Sequence, residues 1–289
     1  MESEAAQIAT ELSRLERSPL AVLDSIGKLD IGRGKLTVVA GSPGAGKSTL
    51  IHKLLFALAQ RGERVGAVLI DPSSPVTGGA VLGDRLRMLD SNDGIFIRSL
   101  PATSSAEGVG SVAPVMAWTL LNRGFDHVFI ESVGIGQQEL DVGRRGEVLA
   151  LVLGPDAGDW VQFIKGGILD VCDLIAVSKA DLDTGKLVRE IRNSVRLQSF
   201  RSQPVMVTAV SSQSGKGIDE LVMQIDRAHD MDPERRMQSR AAVVDDIILR
   251  VVIKQTQLRL REELSAIPGG DWQERLAAVR RFVDRFHVS

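Results

Sequence analysis

The sequence is poor in the residues that build redox and metal chemistry. Its 289 residues include one cysteine, Cys172, so no internal disulfide can form. Ile168, Leu169 and Val171 surround that cysteine in the chain, a setting that suits a small buried residue better than a reactive thiol. The four histidines, His52, His127, His229 and His287, are scattered, with no metal-ligand spacing. Neither sign of charge prevails: 37 acidic residues against 35 basic leave a net charge of −2. There is thus no global attraction toward nucleic acid or an anionic membrane, and neither is expected as a partner. No apolar run approaches the roughly 18 residues that suggest a membrane span. The acidic start Met1-Glu2-Ser3-Glu4 is not a secretory signal, so a cytoplasmic location is expected. What remains is an ordinary globular composition, 44% hydrophobic, long enough for one large α/β core and an appendage.

One stretch carries unmistakable chemistry. Gly41-Ser42-Pro43-Gly44-Ala45-Gly46-Lys47-Ser48-Thr49 fits the pattern of a phosphate-binding loop, glycine, four residues, then Gly-Lys-Ser. Leu36-Thr37-Val38-Val39-Ala40 before it reads as a buried strand, and Leu50, Ile51, Leu54, Leu55 and Leu58 after it recur at helical spacing. Strand, glycine loop and helix is the order the chemistry needs. The glycines let backbone amides turn toward phosphate oxygens, and the helix N-terminus adds a favourable field. Lys47 is expected on the terminal phosphates and the Ser48 hydroxyl on magnesium. A turn that merely opened a helix would not call for lysine and serine at those two places.

Further strands are expected at Val65 to Ile70, Ile95 to Ile97, His127 to Ile130, Val148 to Leu153, Leu174 to Val177 and Val205 to Val210. Several end in polar residues, where open α/β sheets hold their ligands. The second meets Asp71-Pro72-Ser73-Ser74. The His127 strand runs into Glu131-Ser132-Val133-Gly134, an acidic residue with glycine three places on, the arrangement that senses a γ-phosphate. The Leu174 strand ends in Ser178-Lys179-Ala180-Asp181. This resembles the Asn-Lys-x-Asp guanine reader, with serine in place of asparagine. Its aspartate accepts two hydrogen bonds from guanine's ring and exocyclic nitrogens, a donor pair that adenine lacks. Serine forfeits an amide that normally bonds the base and steadies the loop. Ser211-Ser212-Gln213 follows the last strand, where a backbone amide can meet the guanine carbonyl. GTP is therefore favoured over ATP.

Helices are expected over 5–16, through Leu121, from about Trp160 to Val171, and at Ile218 to Ile225. At the far end Asp232 can cap a helix that opens with Pro233. Met237, Ala241, Val244, Ile248, Val251 and Leu258 form a coiled-coil-like stripe, widened by Val243, Ile247 and Val252. Pro268-Gly269-Gly270 breaks it, and Asp271 with Glu274 suggests a capping box for a last helix. The expected organisation is an N-terminal helical lead-in (1–34), a nucleotide-binding domain (35–230) and a helical hairpin (231–289) that forms a homodimer.

These segments together carry a resemblance. The phosphate loop, Asp71-Pro72-Ser73-Ser74, Gly78-Gly79 with Leu82-Gly83-Asp84-Arg85, Glu131 through Gln137, and Ser178-Lys179-Ala180-Asp181 resemble the MeaB/ArgK/methylmalonic-aciduria-type-A family. Members are GTPase chaperones of adenosylcobalamin-dependent acyl-CoA mutases, and the likeness covers roughly residues 35–225. It implies a P-loop α/β fold, a mainly parallel central sheet flanked by helices, with a C-terminal helical dimerisation appendage. It also implies magnesium held by Ser48 with Asp71, Asp84 and Glu131, and GTP and GDP as ligands. Catalysis would rest on Lys47, Glu131 and a Gln137 that orients the attacking water. Guanine nucleotide would lie against residues 41–49, Gly134, Ser178, Lys179, Asp181, Ser211, Ser212 and Gln213. Intrinsic hydrolysis would be slow and rise on partner binding. Departures from the family are the shorter N-terminus, Ser178, Ser212 and Gln138.

Other readings of the residues stay open at this level. A small-molecule kinase or ATPase would make Lys179-Ala180-Asp181 accidental, and a dimeric scaffold with a degenerate nucleotide site would show no turnover. A nickel metallochaperone would call for a Cys-x-x-Cys or His-rich segment that the chain lacks.

Overall fold

A computed structural model describes residues 3–30, 34–71, 94–101, 112–132, 147–155, 168, 171–197, 205–231, 233–267 and 272–284. In chain order these form helices α1 (Glu4–Arg17) and α2 (Pro19–Ile26), strand β1 (Lys35–Gly41), α3 (Lys47–Ala59), β2 (Val65–Asp71), β3 (Ile95–Pro101) and α4 (Val112–Asn122). There follow β4 (His127–Glu131), β5 (Val148–Leu153), β6 (Leu174–Val177), α5 (Gly185–Leu197), β7 (Met206–Ala209), α6 (Ile218–Asp230), α7 (Pro233–Ser265) and α8 (Trp272–Asp284). The seven strands make one sheet in the order β3-β2-β4-β1-β5-β6-β7. Every pairing is parallel.

An all-parallel sheet has both faces covered by helices, and its inner strands are apolar on both sides. β4, β5 and β6 are accordingly buried at every residue. One face carries α3 and α6: Leu50, Ile51, Leu54, Leu55, Leu221, Val222 and Ile225 join Val39, Phe129, Val148 and Val152 in a single apolar cluster. The other face carries α4, in which every residue from Val112 to Leu121 is buried. A helix that is apolar all round needs cover on its outer side as well. α1 and α2 pack against α4 and supply part of it, and α1 buries Ile8, Leu12 and Leu15. Ser3 caps α1 by accepting from the Ala6 amide at 3.3 Å, and Ser18 caps α2 through the Ala21 amide at 3.2 Å, with Pro19 opening that helix.

The expected strands are all present, and Ile95–Pro101 is longer than the three residues anticipated. Two helices went unnoticed in the sequence: α2, and α5, whose Val188, Ile191 and Val195 are buried at helical spacing. Of the helix expected from about Trp160 to Val171, only residues 168 and 171 are among the described residues.

The chain divides into two compact units, Met1–Val244 and Asp245–Ser289. The first includes α1, α2 and the opening of α7, so the anticipated boundaries after residues 34 and 230 both fall inside it. A physical tie holds α7 there. Arg240, nearly solvent-free, donates from Nε to Glu147 Oε1 at 2.7 Å and from a terminal nitrogen to Oε2 at 2.9 Å, and Trp118 Nε1 adds a bond at 3.3 Å. The second unit holds the rest of α7 and all of α8. The stripe anticipated along α7 divides, with Val251 buried but Met237, Ile248 and Leu258 exposed. No described helix is long and apolar enough to cross a membrane.

Candidate nucleotide site

Parallel pairing brings the carboxyl ends of the central strands to one edge of the sheet, and the singled-out side chains among the described residues gather there. β1 ends at Gly41, opposite Val152 of β5. A Cβ on Gly41 would collide with the Val152 carbonyl, so the strand can enter its loop at that point only as glycine. The loop then turns on Gly44 and Gly46, whose φ angles of +77° and +87° lie in the left-handed region. Around neither glycine is an added Cβ obstructed, so their role is conformational rather than steric. The Leu50 amide bonds the Gly46 carbonyl at 2.9 Å and starts α3. Lys47, buried at the first position of α3, folds back so that Nζ donates to the carbonyls of Gly41 (3.0 Å) and Ser42 (3.2 Å). Its ammonium therefore sits over the loop, where phosphate oxygens would lie.

The next residue makes the link that decides the chemistry. Ser48 Oγ donates to Glu131 Oε1 at 2.7 Å. β4 pairs with β1 so that Glu131 lies beside Val39, and the Ser132 amide bonds the Val39 carbonyl at 3.1 Å. The last carboxylate of β4 is thereby fixed against the start of α3. A hydroxyl and a carboxylate at this separation are hard oxygen donors of the kind magnesium accepts, so the residues present fit that ion. Asp71 closes β2, which pairs with β4, two residues past the Leu69–Glu131 register. Its side chain, together with Asp84, Gly134 and Gln137, lies outside the described residues.

On the other side of the phosphate loop, β6 leads into the residues expected to read the base. The Ser178 amide bonds the Leu153 carbonyl at 2.8 Å. Its hydroxyl lies 2.7 Å from the Ala45 carbonyl and 3.2 Å from that of Leu153. Gly154 passes close by, where a Cβ would lie 3.9 Å from Ser178 Oγ. Lys179 is the one described non-glycine residue with a left-handed φ, +58°. That twist turns the chain so that the Ala180 amide reaches the Val210 carbonyl at 3.0 Å and Asp181 faces the loop after β7. There the buried Ser211 donates its hydroxyl to Asp181 Oδ1 at 2.6 Å. This bond, more than any other influence, holds the Asp181 carboxyl below the ordinary carboxylate range, so it is a ready acceptor at neutral pH. Ser211 also anchors its own turn, accepting from the Ser214 amide at 3.2 Å and, through its carbonyl, from Gly215 at 2.9 Å. Ser212 and Gln213 follow in that turn, progressively more exposed.

The structure thus joins the phosphate loop, Glu131, the Ser178–Asp181 segment and Ser211 at one edge. Sequence reasoning missed two features: the Ala45 and Leu153 carbonyls as acceptors for Ser178, and Ser211 as the group that orients Asp181. A backbone carbonyl leaves no mark in a sequence. Ser211 did, as a serine directly after a strand.

The family model described as methylmalonyl Co-A mutase-associated GTPase MeaB matches residues 8–265, nearly the whole described chain. The chain belongs to the MeaB family. Like other members it is a GTPase, and it binds guanine nucleotide. A Mycobacterium tuberculosis protein named a probable GTPase is 33% identical over 270 residues, covering 86% of this chain and 80% of its own. The mouse mitochondrial methylmalonic aciduria type A homolog is 35% identical over 191 residues, which span 63% of this chain and 46% of the mouse protein. Among solved structures, one described as an LAO/AO transport system kinase aligns over 100% of both chains with a TM-score of 0.58. At 21% identity that similarity speaks for the fold alone.

Proposed function

We propose that this MeaB-family GTPase is a chaperone that gates or protects cofactor loading of an adenosylcobalamin-dependent acyl-CoA mutase in the cytoplasm. The observation that carries the reading is the Ser48–Glu131 hydrogen bond. It ties the residue beside the terminal phosphates to the end of β4, where the chain departs into the segment holding Gly134 and Gln137. Loss of a γ-phosphate would be felt at Ser48 and Lys47 and passed to Glu131 through one bond, changing the surface beyond it that a partner reads. The family description, which names association with methylmalonyl-CoA mutase, favours a mutase as that partner.

Within the site, Lys47 would neutralise charge that develops on the transferred phosphoryl group, and Gln137 would orient the attacking water. Magnesium, when bound by Ser48 and Glu131 with Asp71 and Asp84, would supply further positive charge at the phosphates. Asp181 would select guanine. The second unit would dimerise: Leu249, Val252 and Ile253 on α7 and Trp272 and Leu276 on α8 are large apolar residues left exposed. Light scattering at micromolar concentration checks this, and a monomer would reject it.

The deciding experiment measures GTP turnover with magnesium, for the protein alone and with candidate cobalamin mutases, beside the Lys47→Ala variant. Slow turnover that rises with one mutase and disappears in the variant is expected. A preference for ATP, or a rate that no mutase alters, would reject the chaperone role.

A further inference from the structure

Ser178 stands where the guanine reader carries asparagine, and its surroundings decide what the replacement does. An asparagine amide has two hydrogens to give, enough to steady a loop and bond a base at once. A serine hydroxyl has one. Ser178 Oγ has two carbonyl oxygens within reach, Ala45 at 2.7 Å and Leu153 at 3.2 Å, and both are acceptors that compete for the single proton. The side chain is buried, and its shorter reach keeps the oxygen against the backbone of β5 and the phosphate loop. No hydrogen is left over for a ligand. The other base-reading groups are differently placed. Asp181 offers a carboxylate, set by Ser211, for the ring and exocyclic nitrogens, and the turn after Ser211 offers main-chain amides for the carbonyl. Among the described groups none is then left to donate to the ring nitrogen N7.

We infer that Ser178 is a positioning residue that ties the base-reading loop to the phosphate loop through the Ala45 carbonyl, and that this site reads guanine without a donor to N7. The inference rests on the guanine-nucleotide reading of the site and deepens it. Among the described groups specificity then comes from Asp181 and the Ser211 turn, while Ser178 acts on affinity by holding Ala45, and with it the loop amides, in place. A purine whose N7 is replaced by carbon keeps every group that Asp181 and the turn recognise. It loses only an acceptor that none of the described groups of this site addresses.

The test is equilibrium binding to the full chain with magnesium, using nucleotides that are not turned over: GDP, 7-deaza-GDP and ADP. For the native protein, GDP and 7-deaza-GDP are expected to bind within about twofold of one another. Ser178→Ala is expected to weaken both by the same factor, because the lost bond acts on the loops and not on the base. Ser178→Asn, which restores an amide donor, is expected to open a gap of about fivefold or more in favour of GDP. A purely structural role would leave that ratio unmoved. A native protein that prefers GDP over 7-deaza-GDP by more than about tenfold would overturn the inference, as would a Ser178→Ala variant that loses GDP affinity while keeping that for 7-deaza-GDP. So would a Ser178→Asn variant that binds both ligands alike. ADP separates the two layers of the argument. If ADP binds as tightly as GDP, the guanine reading fails and the inference with it. If GDP wins over ADP but also over 7-deaza-GDP, the reading stands and the role of Ser178 alone is rejected.

Discussion

β4 is five residues long and carries a buried titratable group at each end, yet the two ends belong to different kinds of site. At its start His127 is almost wholly enclosed, with Nε2 at 3.1 Å from Glu63 and 3.3 Å from Asp226. Asp226 also takes Lys35 Nζ at 2.5 Å, and Thr37 nearby shares a hydrogen bond of 3.1 Å with His229. These partners are side chains from β1, α6 and the turn before β2, locked to one another. At the other end Glu131 meets a serine hydroxyl on the first turn of a helix, next to a glycine loop. Enclosure by side chains cements a fold, whereas a carboxylate beside turned-out backbone amides is poised to exchange its partner for a ligand. The comparison teaches that burial alone does not mark function; what the neighbours can release does.

Substitutions at the two ends should therefore separate activity from stability. The largest effect is expected at the phosphate edge. Lys47→Ala should lower GTP turnover roughly a hundredfold or more, since it removes a cation from the developing phosphate charge. Its bonds to the Gly41 and Ser42 carbonyls stay within its own loop, so the thermal midpoint should hardly move. A midpoint that collapsed with the activity would blur the distinction. The opposite edge should show the reverse. Arg240→Ala leaves Glu147 buried without its cation and should destabilise the protein by about 3–5 kcal/mol in denaturant titration, with nucleotide affinity unchanged. Pairing Arg240→Met with Glu147→Gln should recover much of that loss, because neither partner then carries an unpaired charge.

Glu131→Gln should come next, lowering turnover about tenfold to a hundredfold and raising the magnesium concentration that turnover requires. The amide oxygen can still accept from Ser48, so stability should be kept; large destabilisation would place Glu131 with His127 as cement. The smallest effect concerns acid. Burial, more than the nearby carboxylates that act against it, lowers the His127 pKa from 6.5 to about 4. The unfolded chain therefore takes up this proton first as pH falls below 6.5, and folding stability drains away down to about pH 4. Glu63, whose carboxyl burial and Asp226 raise, works in the opposite direction and trims the slope. A net loss of roughly 1 kcal/mol from pH 6.5 to pH 5 is expected, and His127→Gln should flatten it. An unchanged slope in that variant would assign the acid sensitivity to other groups.

Much of the nucleotide edge was legible because its parts are local. The phosphate loop is nine contiguous residues, and its flanking strand and helix show their own periodicities. Glu131 closes an apolar strand and Asp181 lies in the segment directly after one, which marks them without knowledge of neighbours. The long-range pairings were not legible. Ser178 and Ala45 meet across 133 residues of chain, and only the strand order that seats β5 between β1 and β6 brings them together. The same holds for Glu147 and Arg240, distant in sequence and joined by packing. α5 was overlooked because its apolar positions are outnumbered by charged and polar ones together, so that Val188, Ile191 and Val195 look sparse until the sheet covers them.

The all-round burial of α4 has a practical side. A chain shortened to begin after residue 30 would keep the phosphate loop and every strand, yet it would bare the outer flank of α4 that α1 and α2 shield. Such a fragment should come out of the cell as a sticky species that self-associates, although nothing in its nucleotide pocket had been touched. The opening helices are best regarded as the lid on a greasy surface, and trimming them to tidy the chain would trade a short tail for insolubility.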